Sequence, residues 1–314
     1  MSLSYLKYLE SESIHIIRET VAEFKNPVML YSVGKDSSVM IRLALKAFYP
    51  GKIPFPVMHV DTGFKFPEMY SFRDAFVKKT GLDLIIYRNE SMIAQGTNPW
   101  DLGTDKCCAL LKTKALLDGL RHYGFDAAFG GARREEEKSR AKERIFSVRD
   151  RFGQWDPKSQ RPELWNLYNG LIKEGESIRV FPLSNWTELD IWNYILIEKI
   201  SVVPIYFTMK RKIYFFPGKP NTVFPMDYVN DFLKKRMAAK RDEGALAWKT
   251  EEGVSCRFRS LGCIPCTGAV RSAVVDLDGL IAELRQVKKS ERENRLIDFS
   301  SESSMEQKKR EGYF

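Results

Sequence analysis

Histidine is scarce in this chain, with three in 314 residues: His15, His59 and His122. They lie far apart, so the clustered imidazoles of a histidine metal site are not on offer. His15 falls on a helix face and His122 near a helix end. His59, two residues before Asp61, reads as either a core or a site residue. No apolar run is long enough to cross a bilayer. The opening Met1-Ser2-Leu3-Ser4-Tyr5 lacks the charged start and apolar centre of a secretory signal, so a cytoplasmic protein is expected. No Gly-x-x-x-x-Gly-Lys-Ser/Thr occurs, which excludes a Walker A loop. Cysteine is sparse too: five residues, none after Cys266.

What is present describes a packed protein. Hydrophobic residues at 44% and charged residues at 29% favour a folded core over disorder. The net charge of +9 suits an anionic partner, whether nucleotide, oxyanion or RNA.

The chain is organised around Val28–Ser38. An apolar run, Val28 to Tyr31, reads as a buried strand, and Val39 to Leu45 reads as a helix. Between them stand Ser32, Val33, Gly34, Lys35, Asp36, Ser37 and Ser38. A helix start presents unpaired N–H groups and the positive end of a dipole. Gly34 lets a ligand approach the backbone, the serines offer hydroxyls, and Lys35 adds a charge. A phosphate chain fits. The plain alternative is a serine-rich loop capping an ordinary helix through Asp36 or Ser37.

Helical spacing over residues 4–24 predicts one or two leading helices, closed by Asn26-Pro27. Phe55–Val60 reads as a strand ending at Asp61-Thr62-Gly63, and ligands in open parallel sheets sit at such strand ends. A helix over about 66–80, a strand at 82–87, a helix over about 106–123 opened by Cys107-Cys108, and a strand at 125–129 follow. That alternation predicts an α/β fold with a doubly wound, mostly parallel sheet. The last of these strands exits through Gly130-Gly131 into Ala132-Arg133-Arg134 and a mixed-charge run to Arg144. Such a run is commonly a solvated helix. Directly after a diglycine strand exit, however, Arg133 and Arg134 can reach the crevice of Lys35 and offer planar forks to oxyanions. Residues 150–177 read as a long loop and Ile178–Leu183 as the last sheet strand. Thr187, with Asp190 three residues on, opens a helix. Beyond Met209 periodicity weakens, and basic pieces such as Lys210-Arg211-Lys212 and Lys234-Lys235-Arg236 alternate with turns. The division expected is 1–25 as leading helices, 26–205 as a nucleotide-binding α/β domain and 206–314 as a C-terminal extension meeting a partner.

Ser32–Ser38 resembles the pyrophosphate loop of the ATP pyrophosphatase superfamily, whose fold is adenine nucleotide alpha-hydrolase-like. His59–Gly63, Phe125–Arg144, Phe181–Glu188, Leu261–Val270 and the Gly312-Tyr313-Phe314 ending occur in the same order. Together they resemble the small-subunit family of bacterial sulfate adenylyltransferases over nearly the whole chain. The resemblance implies that ATP and sulfate give adenosine 5′-phosphosulfate and pyrophosphate, driven by GTP hydrolysis on a GTPase large subunit. It implies Ser32, Val33, Gly34, Lys35, Asp36, Ser37 and Ser38 around the β and γ phosphates and Mg²⁺. Asp61 and Gly63 would face adenosine, Gly130 and Gly131 would belong to the ATP site, and Arg133 and Arg134 would face sulfate or the α-phosphate. No membrane and no nucleic acid is expected as partner.

The cysteines depart from that family. Cys107-Cys108 and Cys263-Ile264-Pro265-Cys266 resemble the four ligands of the [4Fe–4S] cluster in assimilatory adenosine phosphosulfate reductases of the same superfamily. Four thiolates hold either such a cluster or zinc. The plain alternative is buried thiols that pack as small apolar groups. Three other functions fit the residues less well. A reductase needs a nucleophilic cysteine near the C-terminus, and only Cys256 is spare. A tRNA thiolase fits the basic charge but not the acidic run Glu135–Glu137. A regulatory nucleotide-binding subunit sits poorly with an intact Lys35 and Asp36.

Overall fold

Leu3–Glu23 form a single helix, α1, whose buried Leu6, Leu9, Ser13, Ile16, Ile17 and Thr20 recur at three- and four-residue steps and so share one face. Pro27 then opens the first strand, β1 (Pro27–Leu30). The computed structural model describes residues 3–136, 138–216, 219–225, 250–286, 291 and 312.

From β1 the chain alternates as the apolar pattern predicts: α2 (Lys35–Ala47), β2 (Val57–Val60), α3 (Pro67–Thr80), β3 (Leu84–Tyr87). Two short helices follow, α4 (Glu90–Ala94) and α5 (Pro99–Cys108), which carried no clear periodicity. Then come α6 (Ala115–His122), β4 (Ala127–Phe129), α7 (Lys138–Ala141), β5 (Phe146–Arg149), β6 (Ser177–Val180) and α8 (Glu188–Ile197). The sheet order is β3-β2-β1-β4-β6-β5. All pairs are parallel except β5, which runs antiparallel to β6 at the edge. Strand order grows one way from β1 through β2 to β3, and the other way from β4 to β6. The direction reverses between β1 and β4, and the exits of such strands are where open parallel sheets bind ligands.

The structure corrects several expectations. The helix expected over 106–123 is interrupted. The backbone breaks at Gly103 with φ of 77°, resumes as helix through Cys107 and Cys108, and widens into a π-helical turn over Ala109–Lys114 before α6. A π turn takes one extra residue per turn, which apolar spacing does not reveal. Strand β5 was missed because Ser147 and Arg149 broke its apolar look. All four of its residues are nonetheless buried. The weak region beyond Met209 holds a second, antiparallel sheet ordered β10-β9-β7-β8, from β7 (Met209–Phe216), β8 (Lys219–Pro225), β9 (Thr250–Arg257) and β10 (Val270–Arg271). Lys210-Arg211-Lys212 therefore lies in a strand, not among turns. A last helix, α9 (Leu277–Gln286), follows. Residues 234–236, 313 and 314, on which expectations were also placed, lie outside the described residues. Gly312 packs on its own chain: an added Cβ would lie 2.7 Å from Leu117 Cδ1.

Both sheets share one apolar core, in which Ile213, Val254 and Phe258 of the second region join Met29, Phe66 and Phe129. Phe66 and Phe258 meet with ring centroids 4.8 Å apart. Among the described residues no helix is long and apolar enough to cross a membrane.

The helix start read at Thr187 is a full capping box. Asp190 N–H donates to Thr187 Oγ1 at 3.1 Å, and Thr187 N–H donates to Asp190 Oδ2 at 2.8 Å. Thr187→Ala should lower stability by about 1 kcal/mol, read as a shift of the denaturant midpoint. An unchanged midpoint would mean that packing alone holds α8.

Candidate active site

The loop from β1 to α2 turns sharply at Val33, which has φ of +65°. That region is costly for a β-branched residue and persists only where its surroundings enforce it. Val33 is fully buried, so the surrounding core supplies that enforcement. Gly34 is the N-cap of α2 and supplies no side chain of its own. The Lys35 N–H instead donates to the Tyr206 hydroxyl at 2.8 Å. Neither Asp36 nor Ser37 is the N-cap. The Ser37 hydroxyl donates to Gly34 O at 2.9 Å and lies 3.3 Å from Ser32 Oγ.

Gly130 and Gly131 leave β4 beside this turn. An added Cβ on Gly131 would lie 3.0 Å from Asp36 Cβ, so the close approach of the two strand exits depends on that glycine. The approach brings Arg133 to Lys35. Both are 1% exposed, and both bind Asp36: Lys35 Nζ lies 3.0 Å from Oδ2 and Arg133 Nε lies 2.9 Å from Oδ1. Both also hold Glu291, through Lys35 Nζ to Oε2 and through Arg133 Nη2 to Oε1 at 2.9 Å. Burial opposes the charge on Lys35, but Asp36 and Glu291 outweigh it and hold its pKa above the ordinary range. Burial pushes the Asp36 and Glu188 carboxyls up. Glu188 in turn accepts from Arg259 Nη2 at 2.7 Å.

Arg134, the neighbour of Arg133, is not brought to Lys35. Its guanidinium donates to Asn185, which donates onward to Glu12. Asp61 lies at the β2 exit, as expected, and Gly63 takes φ of +77°. Burial would raise the Asp61 carboxyl, but donors from Tyr70 at 2.6 Å, Gly63 N–H at 2.9 Å and Arg88 Nε at 2.8 Å hold it below the usual range. His59 is a core residue: burial pushes its pKa down to about 4, and the neutral ring donates from Nδ1 to Tyr31 O at 2.8 Å.

Cys107, Cys108, Cys263 and Cys266 line one cavity together with Thr62, Lys65 and Lys112. The Cys263–Cys266 turn is fixed by Cys266 N–H on Cys263 O at 2.9 Å and by Ile264 N–H on Phe64 O at 2.8 Å. Thr62 Oγ1 lies 3.1 Å from Cys263 Sγ. Burial pushes the Cys107 thiol up to about 12, with Cys263 and Cys108 adding to it. Among the described residues no three His, Cys, Asp or Glu side chains are arranged to grip a single metal ion. Cys256 stands apart, fully buried in β9.

Sequence reasoning missed Tyr206, Glu188, Arg259, Glu291, Tyr70 and Arg88. Only Glu188 lay within a quoted motif. The others carry no local signal, since each reaches its partner from another element.

The phosphoadenosine phosphosulfate reductase domain family matches residues 26–269. A protein of Marinomonas sp. named sulfate adenylyltransferase subunit 2 is 56% identical over 312 residues, covering 99% of this chain and 98% of that protein. A protein of the same name from Myxococcus xanthus is 56% identical over 311 residues, covering 99% and 97%. Among solved structures, the phosphoadenylyl-sulfate reductase of Candida auris aligns at 16% identity with a TM-score of 0.45, covering 65% of this chain and 91% of that one. With more than half of each full-length relative matched residue for residue, the chain belongs to the sulfate adenylyltransferase subunit 2 family.

Proposed function

We propose that this chain is the catalytic subunit that transfers the adenylyl group of ATP to sulfate. A sulfate oxygen attacks the α-phosphorus. The bond from that phosphorus to the α,β-bridging oxygen breaks, and pyrophosphate leaves with both electrons. The product is adenosine 5′-phosphosulfate. Sulfate supplies the attacking oxygen, so no side-chain nucleophile is needed, and catalysis consists of positioning and charge neutralisation.

The observation that supports this reading is the meeting of Lys35 and Arg133 at the reversal of strand order, beside the start of α2, where the N-cap is Gly34. Ser32, Val33, Gly34, Asp36, Ser37 and Ser38 form the cradle for the β and γ phosphates, with Gly130 and Gly131 as its far wall. Asp61 and Gly63 flank the adenosine side. Arg133 faces the reacting groups, and Arg134 joins it only by leaving Asn185. Mg²⁺ enters with ATP, held largely by phosphate oxygens. The hydroxyls of Ser32 and Ser37 and the carboxylates of Asp36 and Glu188 are hard oxygen donors of the kind it accepts.

The reaction lies uphill, so a GTPase large subunit is proposed as the partner that drives it. The test is formation of adenosine phosphosulfate from ATP and labelled sulfate by anaerobically purified protein, with and without that partner and GTP. GTP-dependent product is expected. Sulfite release from adenosine phosphosulfate and thioredoxin, with no product from sulfate, would move the chain to the reductases. The burial of Cys256 argues against that outcome, because a nucleophilic thiol must be accessible.

The four-cysteine cavity is proposed to hold a metal–sulfur group. Four thiols border one cavity, and four thiolates are the ligand set of an iron–sulfur cluster or of zinc. Lys65 and Lys112 line the same cavity and would offset the thiolate charge.

A further inference from the structure

The centre of the anion site is occupied by a group of the protein itself. The two oxygens of Glu291 are shared between the two cations, Oε2 on Lys35 Nζ and Oε1 on Arg133 Nη2. Two oxygens of a phosphate or sulfate would engage the same pair in the same way. With Lys35 and Arg133 each 1% exposed and Glu291 7% exposed, an incoming anion cannot reach both cations while the carboxylate stays.

We propose that Glu291 is an internal placeholder for the substrate's anionic group, seated on Lys35 and Arg133 in the empty enzyme and displaced when the anion binds. This rests on the reading of Lys35 and Arg133 as the anion site.

Charge balance supports displacement over coexistence. Asp36 and Glu291 already bind both buried cations, and Glu188, held by Arg259, adds its negative field to them. A multiply charged anion added to all three carboxylates would place excess negative charge in a water-poor site, where like charges repel strongly. Release of Glu291 removes one carboxylate and frees a donor on each cation. The exchange is feasible because a buried ion pair gives little net stability: desolvation offsets most of its attraction. The placeholder keeps both cations neutralised and aimed while the site is empty. In return, the apparent anion affinity is reduced by the fraction of molecules in which the position is open.

The test is calorimetric titration of the full-length chain with inorganic pyrophosphate in Mg²⁺ buffer, for wild type, Glu291→Ala and Glu291→Gln, with thermal melts of each. Removal of the competing carboxylate should tighten pyrophosphate binding about tenfold in Glu291→Ala, and by a smaller factor in Glu291→Gln, which keeps the size but loses the charge. Glu291→Ala should also melt earlier without ligand and recover with pyrophosphate, because two buried cations lose a partner. If Glu291→Ala does not fold, the Gln variant decides. Measurable wild-type binding that is unchanged or weakened in the folded variants overturns the placeholder and leaves the anion site standing. Absence of pyrophosphate binding in all three proteins overturns the anion site and the placeholder with it.

Discussion

Lys35→Ala should reduce adenylyl transfer about a thousandfold while the protein stays folded. The size follows from what Lys35 offers: a buried, permanently charged ammonium at the mouth of a helix N-terminus, where no water can screen it. Loss of one preorganised charge partner in such a site costs about 4 kcal/mol of transition-state stabilisation. The fold should survive because Arg133 still engages both Asp36 and Glu291 at 2.9 Å. The check is pyrophosphate release at saturating ATP and sulfate, with circular dichroism and a melt on the same sample. Near-normal turnover by a folded variant would remove the phosphate loop from the mechanism. A drop in turnover with unchanged pyrophosphate binding would move Lys35 from the leaving group to the α-phosphate.

The second large effect is expected at the thiols. Anaerobically purified protein should carry iron and sulfide in stoichiometric amounts, and Cys263→Ser should lose them together with the visible absorbance. Cys263 is the residue to choose because its neighbours hold it in place: Thr62 Oγ1 on its sulfur at 3.1 Å, and Thr267 Oγ1 donating to its carbonyl at 2.9 Å. Ligand-bound metal adds directly to folding stability, so the variant should also melt well below wild type. Zinc in place of iron would keep the four-thiol site and change its occupant. Neither metal in fresh wild-type protein would end the proposal and leave four thiols that merely pack around one cavity.

The parts of this molecule that were legible in the sequence are those fixed by near neighbours. The strand-turn-helix around Gly34 and the Thr187–Asp190 box are written in contiguous residues, and both formed where expected. Arg133 was legible for the same reason, because a diglycine strand exit aims whatever follows it. Arg134 shows the limit: one residue on, the chain has turned, and Asn185 takes its guanidinium. Tyr206 and Glu291 reach Lys35 across 171 and 256 positions of sequence, and no local pattern encodes such a meeting. The second sheet hid for another reason. Arg211 and Arg257 are buried charged residues inside strands, so the alternation that marks a strand was absent.

The hydrogen bond from Lys35 N–H to the Tyr206 hydroxyl has a consequence for how the protein is made. The turn between β1 and α2 is synthesised before the rest of the sheet, yet the hydroxyl that accepts from it follows α8, and the carboxylate on Lys35 comes later still. On the ribosome, the parallel sheet can be complete while the turn between β1 and α2 is still missing these contacts. Completion of this turn is therefore a late event of synthesis.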